Sequence, residues 1–268
     1  FIAGFLTWVL TVLPVISLVF FIHRTLFRYS FVLSYSFDSL LIWASIARKD
    51  LTDHAMRVFK ALHSDAPYAP VRGRQAVAML VGRDVSRLDT AGVARACVES
   101  IAESSVDGVT APLMYALVLG PWAGILYRAI NTMDSMFGHK TARYLWFGKP
   151  AARADDIANF LPARITGLIA CFCAPIVHGR LSQAISVFLK YRKAHESPNA
   201  GHPESAFAGA LGIWLGGTTY YKDEVIEKPI INPQGRDTGI KDIKQALRLL
   251  NATIWATVLV ISLALLVL

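Results

Sequence analysis

The chain has 268 residues, of which 54% are hydrophobic and 17% are charged, and its mean hydropathy is +0.44. A single soluble core of this length buries less apolar surface than this, so the composition argues against an ordinary soluble protein and predicts a membrane protein. The net charge of +8 fits basic cytoplasmic loops, and because no zinc-finger spacing or recognition-helix pattern is present, we exclude nucleic acid as a partner.

Two apolar segments come first in the chain. Residues 1–22 contain no charged residue and, at about 1.5 Å per residue, can cross a hydrocarbon layer of about 30 Å. No basic segment precedes them, so we interpret them as a membrane span and not as a cleaved signal peptide. Residues 31–47 form a second apolar segment, whose lone Asp38 should face the interior of a helix bundle.

Residues 48–107 are polar, and their apolar positions recur at helical spacing, which predicts a soluble helical subdomain of about 60 residues. Asp89 is expected to cap the helix that follows it. On that helix Glu99, Glu103 and Asp107 stand at i, i+4 and i+8, within roughly 80° of one another and over about 12 Å. Such an acidic edge can hold Mg²⁺ or line a charged ligand, and the alternative is a solvent-exposed stripe.

Residues 111–130 are apolar enough for a membrane segment, but Gly120 and Pro121 interrupt them. The interruption allows two half-helices that enter and leave on one side, so we favour a re-entrant segment. A second polar block, 131–164, follows. We expect Asp107 to approach Asp134 or Asp155 of this block in one metal-bridged site.

The rest of the chain alternates between apolar and polar segments. Residues 168–177 are apolar with a proline, which predicts a short or kinked span. Residues 195–217 contain Ser-Pro-Asn-Ala-Gly turn chemistry whose backbone N–H groups can bind an anion, and a small-residue helix that begins near Pro203. The three cysteines form no C-x-x-C motif, so we expect buried, inert thiols.

These segments predict an all-α fold, a polytopic integral membrane protein with cytoplasmic helical segments. We divide it into two N-terminal membrane segments (1–47), a catalytic region of membrane segments, re-entrant segments and cytoplasmic loops (48–250), and a C-terminal membrane segment (251–268). No Walker A loop and no nucleophile elbow are present. The remaining acids, amides and bases are suited to Mg²⁺ and phosphate chemistry and not to covalent catalysis.

Five blocks of the chain resemble, in order and spacing, the adenosylcobinamide-phosphate synthase family of cobalamin biosynthesis (CbiB, also called CobD). They read ESIAESSVDGVTAPLMYAL, INTMDSMFGHK, FGKPAARADDIANFLPARIT, HESPNAGHPESAFAGALGIWLGG and TYYKDEVIEKP, and the resemblance covers about residues 48–250. Two features depart from the family: Ser104-Ser105 stands where Asn-Thr or Asn-Ser is usual, and the expected N-terminal Leu-Gly-Asp-Pro segment is absent.

The resemblance implies an inner-membrane, multi-pass enzyme with its active site facing the cytoplasm, where ATP is available. Its partners would be a lipid bilayer, a corrinoid and an amino alcohol. It would join adenosylcobyric acid to (R)-1-aminopropan-2-ol or its O-phosphate through an amide, using ATP and Mg²⁺. The sequence does not decide which amine is used, or whether the protein is a monomer or a homo-oligomer.

Combined with the residues, the resemblance gives a hypothesis for the site. The expected Mg²⁺ ligands are Glu103, Asp107, Asp134, Asp155 and Asp156. These five and Glu99, a candidate proton acceptor, form the catalytic set. The expected substrate-binding residues are Arg83, Asn131, Lys140, Arg153, Asn159, Arg164, His195, Asn199, Gly201 and Glu204. Structural alternatives stay open for some of them: Arg83 could form a surface ion pair with Asp84, His195 could cap or pack, and Asn199 and Gly201 could only shape a turn.

Two other functions remain as alternatives. The first is a Mg²⁺-dependent membrane transferase of the prenyl or CDP-alcohol type, which would need a diphosphate donor and no ATP. The second is a non-catalytic membrane sensor, because the family has a relative of that kind, the inner-membrane protein AmpE.

Overall fold

The computed structural model describes residues 1–64, 68–138, 144–221 and 224–267. The chain forms two compact units, each assembled from separated stretches of sequence. Unit 1 consists of Phe1–Ala47, Asp107–Pro162 and Val258–Leu268, and unit 2 consists of Arg48–Val106 and Ala163–Thr257. Three of the four boundaries between the units fall inside helical segments, and the fourth falls at the short loop before Arg48.

In these residues the structure is mostly helical. The α-helices are α1 (Ile2–Tyr29), α2 (Phe31–Ser45), α3 (Arg48–Leu62), α4 (Ala69–Val77), α5 (Thr90–Ser105), α6 (Ala111–Leu119), α7 (Pro121–Phe137), α8 (Lys149–Phe172), α9 (Leu181–Tyr191), α10 (Gly201–Leu211) and α11 (Ile240–Val267). Two strands, β1 (Leu215–Tyr221) and β2 (Glu224–Ile231), form an antiparallel hairpin. The all-α prediction is therefore wrong at this hairpin, although the helical majority is confirmed.

Helices α1, α2 and α7 pack together in unit 1. Val12 of α1, Met133 of α7 and Ala151 of α8 are buried in one apolar cluster. Asp38 lies inside this unit as expected: its Oδ1 is 2.8 Å from Nδ1 of His23, and its side chain is largely buried. A carboxylate among apolar helices is thus paired with an imidazole.

The Gly-Pro break separates α6 from α7, as the sequence predicted. Gly120 has φ +100°, a conformation that side chains with a Cβ rarely adopt, and Pro121 then opens α7. The two helices pack closely, because a Cβ on Gly124 would lie 3.1 Å from the carbonyl oxygen of Pro112. Residues 111–137 therefore form a tight helical hairpin.

The expected straight helix through the acidic edge is wrong. Helix α5 ends at Ser105, and residues Val106–Thr110 form a π-helical turn. Asp107 lies in this turn and in unit 1, whereas Glu99 and Glu103 lie in unit 2. The three carboxylates thus do not form one continuous α-helical edge.

Unit 2 is built around α5 and α10. Helix α5 contacts α3, α4 and α10, and α10 also packs against α9 and the hairpin. Asp89 caps α5 as predicted, accepting a hydrogen bond of 2.7 Å from the Gly92 backbone N–H. Every residue of α10 is buried, which its small side chains (Ala206, Ala208, Gly209) permit. Helix α10 is therefore the central helix of this unit.

Two helices of the described chain, α1 and α11, are long and apolar enough to cross a membrane. The spans predicted at residues 31–47, 111–130 and 168–177 do not meet that test within the described chain, and their membrane placement stays a prediction. All three cysteines are buried and free, which confirms the prediction of buried thiols.

Candidate functional site

Arg83 and Glu99, a residue of α5, form a largely buried ion pair in unit 2. Nη2 of Arg83 is 2.8 Å from Oε2 of Glu99, and the two side chains are 8% and 11% exposed. The other oxygen, Oε1, accepts a 2.8 Å hydrogen bond from the Gly216 backbone N–H. Both oxygens of Glu99 are therefore engaged. Arg83 does not pair with Asp84, whose carboxylate instead accepts the Ser86 N–H.

The Gly216 N–H is available to Glu99 because β1 contains a bulge. Strand pairing shifts register between Leu215 and Gly217, and Gly216 and Gly217 both have positive φ, +85° and +86°. A Cβ on Gly216 would also overlap the carbonyl oxygen of Pro229. The Gly-Gly pair thus allows the strand to present a backbone donor to a carboxylate on a helix.

A cavity of about 130 Å³ lies beside this ion pair. Its charged lining residues are Arg83, Glu99, Glu103, Glu204 and Lys228. We call it the Glu204 cavity. Glu204, in the first turn of α10, is 5% exposed, and burial together with the charges of Glu99 and Glu103 raises its pKa well above the ordinary value.

His195 lies on one side of Glu204. Its Nε2 is 3.9 Å from Oε1 of Glu204, which is an ion-pair distance but too long for a hydrogen bond. Its Nδ1 accepts a 3.0 Å hydrogen bond from the Ser197 N–H, which places the proton of the neutral ring on Nε2. Burial, and then the charge of Lys228, lowers the pKa of His195. The neutral ring therefore carries its N–H on the nitrogen that lies nearer to Glu204.

Basic residues gather at the first turn of α10 as well. Nη1 of Arg164 donates a 3.2 Å hydrogen bond to Oδ1 of Asn199, in the turn before Gly201. His202 is 2% exposed, and neither of its ring nitrogens has a hydrogen-bond partner within the described chain. Burial, followed by the nearby charge of Arg164, lowers the pKa of His202 to about 4. Asn199 and Gly201 thus shape a turn that Arg164 stabilises.

The second cluster lies in unit 1, around Asp155 of α8. Oδ1 of Asp155 accepts a 3.1 Å hydrogen bond from Nδ2 of Asn131, and Oδ2 accepts a 3.0 Å bond from Nδ2 of Asn159. Oδ1 of Asn159 in turn accepts a 2.8 Å bond from the Tyr127 hydroxyl. Burial raises the pKa of Asp155, and the two amide donors oppose that shift. The carboxylate is thus fixed by amides from two helices.

The π-helical turn joins this network through Arg128. Nη1 of Arg128 donates to the Asp107 carbonyl oxygen at 3.1 Å and to Oδ1 of Asn131 at 3.3 Å. The neighbouring carbonyl, of Gly108, accepts a 2.8 Å bond from the Ala47 N–H. The π turn therefore presents two carbonyl groups to partners outside its own helix, a feature often found at functional sites.

The structure divides the expected site residues between the two units. Glu99, Glu103, Arg83, Arg164, His195, Asn199, Gly201 and Glu204 lie in unit 2, and Asp107, Asn131, Asp134, Arg153, Asp155, Asp156 and Asn159 lie in unit 1. Asp134 and Asp156 are half-buried and Arg153 is exposed, whereas Lys140 lies outside the described residues. Across the described ranges, no three His, Cys, Asp or Glu side chains form a group that could hold a metal ion.

Three contributors were missed from the sequence. Arg128 is the one charged residue in the apolar run 111–130, and an arginine in such a run is a signal for a polar partner. Lys228 could not be found, because the β-hairpin that places it was not predicted. The backbone N–H of Gly216 carries no side-chain signal, although the Gly-Gly pair before a β-branched run is typical of a bulge.

Comparison with known proteins agrees with the resemblance in the sequence. The family model described as CobD/Cbib protein matches residues 1–250. The relative named cobalamin biosynthesis protein CobD from Brucella suis is 44% identical over 219 residues, 81% of this chain and 66% of its own length. The chain thus spans slightly less than two thirds of that relative.

Relatives of the same name occur in distant bacteria. The protein from Rhodobacter capsulatus is 43% identical over 225 residues, 84% of this chain and 69% of its own length. The protein from Clostridium tetani is 38% identical over 224 residues, 84% and 70% respectively. No solved structure matches the chain. As its five sequence blocks predicted, the chain belongs to the CobD/CbiB family of cobalamin biosynthesis proteins.

Proposed function

We propose that the chain is part of a membrane enzyme that forms an amide between adenosylcobyric acid and (R)-1-aminopropan-2-ol or its O-phosphate, with ATP as co-substrate. The name of its relatives, cobalamin biosynthesis protein, supports a corrinoid substrate. The two apolar helices α1 and α11 support a position in the membrane. A supply of ATP requires the charged residues to face the cytoplasm.

The Glu204 cavity is the observation that carries this proposal. A carboxylate and an ammonium do not form an amide directly near neutral pH, so the carboxylate must be activated and the ammonium must lose a proton. The cavity combines a buried carboxyl group of raised pKa with a guanidinium and an ammonium. Such a set can accept a proton and stabilise developing negative charge.

The reaction would proceed in two steps. An oxygen of the corrinoid propionate attacks the γ-phosphorus of ATP, releasing ADP and giving an acyl phosphate. The amine nitrogen then attacks the acyl carbon, and the bond from that carbon to the phosphate oxygen breaks. In unit 2, Arg83 and Arg164 would bind the phosphate and carboxylate oxygens in these steps.

The donor set around Asp155 fits Mg²⁺. This cation is often bound by one or two carboxylates together with phosphate oxygens and water, so it needs no complete protein cage. The Asp155 carboxylate is already oriented by two amides, and each of its oxygens retains a free lone pair. Asp155 would hold the ion together with phosphate oxygens and water, and the ion would neutralise charge on the phosphates when bound. Asp107, Asp134 and Asp156, which we expected as further ligands, do not form a three-acid cluster with it within the described ranges.

The test is a reconstituted reaction. Full-length protein in detergent is incubated with adenosylcobyric acid, ATP and Mg²⁺, each amine is offered in turn, and products are identified by mass. We expect a cobinamide product and ADP in equal amounts. Product formation from a diphosphate donor without ATP would support the transferase instead. Retention of function in the cell by the double variant Asp155→Ala/Asp156→Ala would support the sensor.

A further inference from the structure

Glu204, an acid, and Lys228, a base, line the same cavity, and neither has a close partner. Glu204 makes no hydrogen bond to any residue that the structure describes, and its one ion-pair contact is His195 at 3.9 Å. Lys228, on β2, is half-buried and forms no ion pair within the described part of the chain. Burying a carboxyl group without a hydrogen bond is costly, so this arrangement indicates a place for a ligand.

The other carboxylates of the cavity do not share this property. Glu99 is held by Arg83 and by the Gly216 N–H, which engages both of its oxygens. Glu103 is exposed to solvent. Glu204 is therefore the carboxyl group in this cavity that is both buried and open to a new partner.

The size of the cavity limits what can enter it. Its volume of about 130 Å³ is close to that of engineered cavities of about 150 Å³ that bind benzene. A small amine fits this space, whereas a nucleotide or a corrinoid does not. Unpaired groups of both signs further favour a small molecule that itself carries both an ammonium group and an anion.

We propose that the Glu204 cavity binds the amino alcohol as a zwitterion, with its O-phosphate on Lys228 and its ammonium on Glu204, and that Glu204 accepts the proton of that ammonium. This inference rests on the proposed amide reaction and decides between its two alternative amines. His195 is a positioning residue, since its Nε2 lies 3.9 Å from Oε1 of Glu204.

Glu204 takes one proton from the ammonium, so that the nitrogen lone pair becomes free to attack the activated acyl carbon. The bond between that carbon and the phosphate oxygen breaks, the electron pair leaves with the phosphate, and the second nitrogen proton is lost to that phosphate. The raised pKa of Glu204 reduces the gap to an alkylammonium, whose ordinary pKa is about 10, and so makes the transfer easier.

The experiment has a binding arm and a kinetic arm, both with the full-length protein in detergent. The binding arm measures the affinity for (R)-1-aminopropan-2-ol O-phosphate and for the unphosphorylated amine by calorimetry, without ATP or corrinoid. We expect Lys228→Met to weaken binding of the phosphorylated amine roughly 10- to 100-fold and to leave the unphosphorylated amine nearly unchanged. Equal effects on both amines, or on neither, would overturn the role of Lys228.

The kinetic arm compares Glu204→Gln with Glu227→Gln, an exposed residue one position before Lys228 on the same strand. We expect Glu204→Gln to lower kcat roughly 10²- to 10⁴-fold and to remove the acid limb of the pH profile, with normal activity in Glu227→Gln. Glu204→Asp should recover part of the rate with the acid limb restored. A kcat of Glu204→Gln within threefold of wild type would overturn the proton-acceptor role.

The two arms separate this inference from the proposed function. If the wild-type protein makes no amide with either amine, the proposed reaction is wrong. Binding of the phosphorylated amine that depends on Lys228 would then still support the cavity as its site. If amide forms but neither variant affects binding or rate, the reaction stands and the assignment of the cavity is overturned.

Discussion

Asp155 in unit 1 and Glu204 in unit 2 are carboxyl groups in similar chemical situations, because burial raises the pKa of both. They differ in their partners. Asp155 accepts one hydrogen bond on each oxygen, from Asn131 and Asn159. Glu204 accepts none from the residues that the structure describes. The first carboxylate is oriented by the fold alone, whereas the second depends on a ligand for a comparable environment.

This difference separates cation binding from proton transfer, two tasks that the sequence analysis assigned to one site. A carboxylate fixed by amides is suited to present lone pairs to a cation with little reorganisation. A carboxyl group without donors can change its protonation when an ammonium arrives, since no existing hydrogen bond must be broken. Three variants test the comparison. Two remove a hydrogen-bonding partner of Glu99 or of Asp155, and the third replaces the carboxyl group of Glu204.

The largest effect is expected at Glu99, the carboxylate of unit 2 that is bound by Arg83 and by the Gly216 N–H. Arg83→Met leaves Glu99 buried with a single backbone donor, and breaking a buried ion pair by removing one partner costs about 3–5 kcal/mol. We expect that loss in the free energy of unfolding, measured by denaturant titration in detergent. The double variant Arg83→Met/Glu99→Gln should recover most of it. A loss below about 1 kcal/mol in the single variant would mean that Glu99 is not held as described.

A smaller loss is expected in the Asp155 network. Asn159→Leu removes the donor to Oδ2 of Asp155 and the acceptor of the Tyr127 hydroxyl, and each group left without a partner costs about 1–3 kcal/mol. The same denaturant titration measures it. Ser135→Ala, an exposed control on α7, should change stability by less than about 0.5 kcal/mol. Equal stability of the two variants would contradict the view that Asp155 is held by amides.

An effect of opposite sign, whose size depends on pH, is expected for Glu204→Gln. A carboxyl group whose pKa is raised in the folded state binds a proton more tightly there than in the unfolded chain, so its contribution to stability is present at low pH. That contribution is lost as pH rises through the folded pKa, at about 1.4 kcal/mol per pH unit at most. Glutamine does not titrate, so the variant should become more stable than wild type as pH rises.

The groups that surround Glu204 belong to several elements, and their charges enter this prediction. They are Glu99 and Glu103 on α5, Lys228 on β2, Arg83 before α5, and His195 before α10. Thermal midpoints between pH 5 and pH 9 measure the difference, with Glu227→Gln as control. A difference between Glu204→Gln and wild type that does not grow with pH would show that Glu204 titrates as an ordinary carboxyl group.

Much of this architecture can be predicted from the sequence, because helices carry strong local signals. The uncharged run of α1, the cap at Asp89 and the break at Gly120 each depend on neighbouring residues, and the structure confirms all three. The sequence also predicts a functional role for the polar residues of α7 and α8, and that role stays a prediction. Local chemistry is sufficient for these features.

The features that were missed depend on distant contacts. The spacing of Glu99, Glu103 and Asp107 fits an uninterrupted α-helix, but a π-helical turn begins at Val106, with carbonyls that bond to Arg128 and Ala47. The hairpin is similar, since its bulge is stabilised by Glu99, more than a hundred residues away. Sequence periodicity contains no information about such partners.

The protonation state of Glu204 tests the central claim most directly. Infrared difference spectra of the full-length protein are recorded before and after addition of (R)-1-aminopropan-2-ol O-phosphate, for wild type and for Glu204→Gln. At a pH where titration shows that Glu204 is protonated in the free protein, we expect wild type to lose the carbonyl band of a carboxylic acid and to gain a carboxylate band, and the variant to show neither change. Unchanged spectra of the wild type in the presence of bound amine, or the same change in the variant, would contradict the account.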